Sequence, residues 1–274
     1  MIAALENPLL MLRATEVFVA LGSSITAGEI LSLNSALRDD GLLSWRLQRL
    51  NHPRMARLLA TFGIDRCFRY PEVLGLLGIR LIVALLLIIA TCLHWSVRPQ
   101  LLILAAVTLL FTLRCPEGND GSDQMSLIIL LVSSLAEVIH TPVAYVTALI
   151  FIAAQSALSY GTSGFLKVQQ AGWRNGVFVT EILATSSFGS RQLSGLFQAH
   201  PLSRMWCGRL VAYGDCTLAL AALLPPLACS LVLIFGLSLH IGIARILGLN
   251  SFLWAFVATY PAIIFVSASL YMHL

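Results

Sequence analysis

Charge is what this sequence has least of. Only 11% of its 274 residues are Asp, Glu, Lys or Arg, while 58% are hydrophobic; a soluble domain averages about 25% charged residues. So little charge cannot cover a water-facing globule, which excludes an ordinary soluble enzyme or binding module and makes lipid the solvent for most of the surface. Lysine is scarcer still, since Lys167 is the single one among the 17 Lys+Arg. The six cysteines (Cys67, Cys92, Cys115, Cys207, Cys216, Cys229) include no CxxC pair. That excludes a zinc ribbon and a thioredoxin-like motif, and the spacing alone assigns no disulfide. Several of them lie in apolar runs, as small buried hydrophobes do. The chain has no glycine-rich phosphate loop, no HExxH and no serine-nucleophile elbow. No metal site is expected. The arginines flank apolar runs rather than forming a dense stripe, so nucleic acid is not an expected partner. Met1 to Pro8 carries Glu6 and no basic cluster, so no cleaved signal peptide is expected.

What the sequence does have is long apolar runs. A bilayer core of about 30 Å takes roughly 20 helical residues to cross. Candidate spans cover 10–33, 71–95, 97–113, 125–139, 143–165, 206–224, 227–248 and 251–271. They predict an all-α, polytopic transmembrane helical bundle of about eight spans, with amphipathic or interfacial helices between spans, forming a single domain over 1–274. The runs 97–113 and 125–139 are short, and either being re-entrant would reduce the count to six or seven. Pro142 and the pair Pro225-Pro226 fall where consecutive spans must turn back, because proline removes a helix donor and clashes with the preceding turn. With eight spans, segments 34–70, 114–124, 166–205 and 249–250 share one face. Every Lys and Arg except Arg13, Arg80 and Arg98 lies on or next to that face, so the positive-inside rule puts it in the cytoplasm.

A few polar residues inside or beside these spans are candidates for chemistry. Arginine stays charged, whereas a lysine amine can be desolvated until it releases its proton and acts as a base or nucleophile. Lys167 closes the run Tyr160-Gly161-Thr162-Ser163-Gly164-Phe165-Leu166-Lys167. Its position alone favours a snorkelling interfacial anchor, yet the chain uses arginine for every other such cation. His240 lies within the seventh span, on a helix that returns toward the Lys167 side. Asp215 and Arg80 fall at similar depth on the sixth and second spans, and a structural ion pair between them is the economical expectation. Arg13 and Glu16 are spaced to pair along one helix. In the polar loop 114–124, Asp123 and Gln124 are expected to cap the next helix.

The run Gln155-Ser156-Ala157-Leu158-Ser159-Tyr160, then Ser163-Gly164-Phe165-Leu166-Lys167, then Trp173-Arg174-Asn175-Gly176 resembles the central signature of HTTM-domain proteins. These are bacterial relatives of the membrane half of vitamin K-dependent γ-carboxylase. Asp40-Gly41-Leu42-Leu43-Ser44, Gly118-Asn119-Asp120-Gly121-Ser122-Asp123-Gln124, and His240 followed by Gly248-Leu249-Asn250-Ser251-Phe252 are similar to further family patterns, in the same order. The resemblance implies that Lys167 is a base working with a reduced quinone, vitamin K-like, as cofactor. It makes Lys167 and His240 the candidate catalytic residues, and Tyr160, Gln155 and Trp173 the candidate substrate- or cofactor-binding ones. Two departures are plain: Leu166 stands where the carboxylase has a second basic residue, and one residue is inserted before Trp173. No counterpart of the carboxylase's large soluble C-terminal half is expected, and the small SdpB-like members, associated with maturation of peptide toxins, are the nearer likeness.

Three functions follow in order of expectation. The first is a quinol-linked membrane enzyme that modifies a peptide or small substrate. The second is a non-enzymatic accessory in export, maturation or immunity for a secreted peptide. The third is a small carrier with a polar path through Arg80, Asp215 and His240. The expected partners are membrane lipid, a peptide substrate and a soluble maturation partner, and the expected location is the bacterial cytoplasmic membrane.

Overall fold

The computed structural model describes residues 7–116, 119–186 and 189–271, so Glu6, and Gly118 of the loop motif, lie outside it. Among the described residues every regular element is helical. The chain divides into two compact units, one of residues 16–139 and one of residues 1–15 with 140–274. Helix α1 (Pro8–Ser32) begins in the second and ends in the first.

In the 16–139 unit, α1 is followed by two short surface helices, α2 (Trp45–Asn51) and α3 (Pro53–Thr61), and by α4 (Glu72–Cys92), α5 (Arg98–Arg114) and α6 (Gly121–Ile139). Helix α4 shows how these elements are built. It buries Val73, Leu76, Leu77, Arg80, Val83, Ala84, Leu87 and Ala90, which recur at helical spacing. The opposite face exposes Ile79, Ile82, Leu85, Leu86 and Ile89. A helix apolar on both its packed and its outward face belongs in lipid. Trp45 and Phe68 meet edge to face at 4.9 Å, in a core that includes Leu59, Leu76 and Val107.

Arg114 anchors this unit and was not legible as doing so. Its side chain is buried, with Nε donating to the Phe68 carbonyl at 3.2 Å and a terminal nitrogen to the Leu43 carbonyl at 2.8 Å. Without these donors each carbonyl would be left unmet, a deficit of about 1–3 kcal/mol per group. The cap of α6 also differs from expectation. Asp120, not Asp123 with Gln124, is the capping residue: its Oδ1 accepts from the backbone of Ser122 at 2.8 Å and of Asp123 at 3.1 Å. Asp123 returns the bond by accepting from the Asp120 N–H at 3.3 Å, completing a reciprocal capping box.

The other unit holds α7 (Pro142–Gln169), the short α8 (Ala171–Arg174), α9 (Val177–Ala184), α10 (Arg191–Ala199), α11 (Pro201–Ala219), α12 (Pro226–Leu247), α13 (Asn250–Val257) and α14 (Tyr260–Tyr271). Pro142, Pro201 and Pro226 each sit in the first turn of their helices, where a missing N–H costs nothing. Among the described residues six helical segments are long and apolar enough to cross a membrane: α1, α4, α6, α7, α12 and the combined run Asn250–Tyr271. The two other expected spans are helices of a different character. Helix α5 has 17 residues, about 25 Å at 1.5 Å per residue, and α11 carries Arg204, Arg209 and Asp215.

Candidate functional site

The site is built on one face of α7. Thr141 starts this helix by accepting from the Ala144 N–H at 3.2 Å, and the helix runs on to Gln169, past the expected end at 165. Lys167 is therefore a helical residue of the last turn. Ser156, Tyr160, Ser163 and Lys167 follow one another at i+4, i+3 and i+4, so they share a face. Against this face lies α11, the helix with which α7 packs most extensively. The approach is close because Gly164 has no side chain: a Cβ there would stand 2.7 Å from both the backbone N and the Sγ of Cys216. Small residues at a contact let helix backbones draw together. The short carboxylate of Asp215 then reaches Lys167.

Lys167 Nζ lies 2.5 Å from Asp215 Oδ2 and 2.7 Å from Ser163 Oγ, while the Ser163 hydroxyl donates to the same carboxylate oxygen at 3.0 Å. The lysine side chain is 22% exposed and the aspartate 7%. The Trp173 ring centre is 5.3 Å from Nζ, a cation–π distance. Trp173 is seated by the turn at Gly176, whose φ of 78° is left-handed and whose missing Cβ leaves room for the Arg204 carbonyl.

This geometry corrects the expected Arg80–Asp215 pair. Asp215 is the partner of Lys167. Arg80 belongs to the 16–139 unit, its guanidinium 5.8 Å from the Phe111 ring centre. The helix ends also differ from those expected. Helix α11 starts at Pro201 rather than 206, and Lys167 lies inside α7 rather than beyond it. Ser163 stood in the sequence four residues before Lys167, the spacing that signals a shared face, but was given no role.

Beside the lysine is an apolar cavity of about 610 Å³. Its walls come from the end of α7 and from α8, α9, α10, α11 and α12, with Ile182, Phe197, Leu210, Phe235 and Ile243 among them. Among the described residues of the lining Lys167 is the one that is charged; Trp173, Cys207 and Ser238 are the others whose side chains carry a polar atom or sulfur. At Gly242, also in the wall, an added Cβ would meet nothing within 4 Å.

The remaining candidates gather elsewhere in the same unit. The Tyr160 hydroxyl is 2.7 Å from His240 Nε2. The His240 ring stacks on Phe256 with centres 5.0 Å apart, and Nδ1 has no hydrogen-bond partner among the described residues. Both residues are buried and neither lines the cavity. Tyr160 is seven residues from Lys167, about 10 Å along the axis. One further bond on the α7 face, Ser156 to Thr259 at 3.1 Å, ties it to the break between α13 and α14. Gln155 is half-buried on α7 and outside the cavity lining. Arg174 is exposed and donates to the Val168 carbonyl at 3.2 Å. Lys167 and Trp173 thus meet at a cavity, and Tyr160 and His240 form a separate buried pair. Among the described residues no group of His, Cys, Asp and Glu is placed to hold a metal ion.

No family model, curated protein or solved structure matches the chain.

Proposed function

We propose that this chain is a multi-pass membrane enzyme of the HTTM type, with Lys167 as the base at the polar end of a lipid-accepting cavity. The supporting observation is the position of the single lysine: paired with a buried carboxylate, under an indole, at the edge of about 610 Å³ of apolar space. A reduced quinone suits that donor set, having an apolar body for the walls and ring hydroxyls for Lys167. When bound it would supply reducing equivalents for reaction with dioxygen. The chain's own part is to hold and move protons. Asp215 Oδ2 is placed to take a proton from Nζ, Ser163 Oγ steadies both groups, and the amine then offers its lone pair to a hydroxyl in the cavity. The substrate class is a peptide or small molecule with a carbon acid, in the cytoplasmic membrane of a bacterium.

Cys207 tests occupancy of the cavity. In a variant retaining only that cysteine, a reduced short-chain quinone should slow maleimide labelling in detergent. Gly242→Phe, which fills the open space, should abolish the protection. Labelling that the quinone leaves unchanged would remove the cofactor from this reading.

The same proposal includes eight crossings, with α5 and α11 also traversing the membrane. In a cysteine-free background, single cysteines at Ser96 and Gly121 should label from opposite sides, as should cysteines at Leu202 and Leu227. Labelling of either pair from one side would reduce the count.

A further inference from the structure

Between Trp45 and Arg69 the chain places six arginines, Arg46, Arg49, Arg54, Arg57, Arg66 and Arg69, all exposed. The stretch contains a single acid, Asp65, which is already bonded to Arg69 at 2.6 Å. Helices α2 and α3 are held from beneath: Trp45 and Leu59 are buried in the core, with Met55 and Ala56 packed against it. Their outer side is not polar throughout. Leu50, Leu58 and Phe62 stand 69%, 60% and 70% exposed among the arginines.

Exposed leucine and phenylalanine beside guanidinium groups make a poor surface for water alone. They suit a boundary that is apolar within and anionic at its rim, where long cationic side chains bury their stems and lift their heads to phosphate. We infer that residues 45–69 form an interfacial platform that binds anionic phospholipid. The arginines engage headgroup phosphates, and Leu50, Leu58 and Phe62 enter the upper acyl region. Charge complementarity selects the occupant, because a zwitterionic headgroup offers no net charge to five arginines without an acidic partner in their own segment. The inference depends on the 16–139 unit alone and stands apart from the reading of Lys167.

The test is amide hydrogen exchange of the full chain in nanodiscs of phosphatidylglycerol or phosphatidylcholine. Exchange over 45–62 should be slower in the anionic lipid. Each arginine near such a surface strengthens binding by about fivefold, so replacing Arg46, Arg49, Arg54 and Arg57 by Gln should erase the difference. The corresponding Lys variant, which keeps the charge, should retain it. Exchange over α7 serves as the folding control for both variants. Equal protection in the two lipids, or protection that survives the Gln replacements, would overturn the inference. So would equal protection by inorganic phosphate in detergent, which would assign the arginines to free anions.

Discussion

Lys167→Arg is expected to abolish turnover while leaving the protein folded and inserted. Arginine keeps the positive charge and can still meet Asp215, but its guanidinium does not give up a proton under these conditions. A positioned acid–base group contributes about 10²–10⁴ in rate, and the loss should fall in that range. The Lys167→Ala variant should be equally inactive, showing that the missing property is proton transfer and not charge. The measurement is oxidation of a reduced short-chain quinone by the solubilised protein, or peptide maturation in cells, at equal protein level. Full activity in the arginine variant would reduce Lys167 to an anchor for α11. His240 and Tyr160, buried away from the cavity, do not share this expectation.

Breaking the Lys167–Asp215 pair from one side should cost far more stability than removing it altogether. Asp215 is 7% exposed and its partner 22%, so the two single variants are not equivalent. Lys167→Met strands a carboxylate between two closely packed helices, at about 3–5 kcal/mol. Asp215→Leu leaves an amine on a flexible stem near the helix end, which can turn toward water, so its cost should be lower. The double variant should recover most of the loss, because a buried ion pair and an apolar pair of similar volume are close in energy. Unfolding in detergent with increasing denaturant measures the cycle. Additive losses would mean that the ion pair does not couple the two residues.

The apolar runs announced nearly every long helix, since hydrophobicity over about 20 residues is a bulk property that tertiary contacts do not change. What they did not announce was where helices stop and what they touch. Helix α7 continues through Phe165, Leu166 and Lys167 because nothing breaks it before Gln170, yet Gly161, Thr162, Ser163 and Gly164 interrupt the apolar run before them. The partner of Asp215 depended on Gly164, whose effect is distance of approach, and hydropathy is blind to that. Asp123 and Gln124 were the expected caps, yet Asp120 faces the free amides, because which carboxylate does so is fixed by where the first turn closes. Arg114 looked like the end of a span because its two acceptors, the carbonyls of Leu43 and Phe68, are backbone atoms that carry no sequence signal. The cavity was equally hidden, since six successive helices, α7 to α12, contribute its walls and the way they pack carries no sequence signal. The resemblance grouped Tyr160, Gln155, Trp173 and His240 with Lys167; Trp173 lies at the cavity beside the lysine, and the other three do not line it.

Arg114 has a mechanical consequence. One guanidinium at the end of α5 holds carbonyls at both ends of the 43–68 stretch, so that stretch is pinned like a bracket rather than hung like a tether. A force pressing on α2 or α3 from outside would be passed to the last turn of α5 instead of being absorbed by loop bending. Rocking of α5 would likewise tilt both surface helices as one plate.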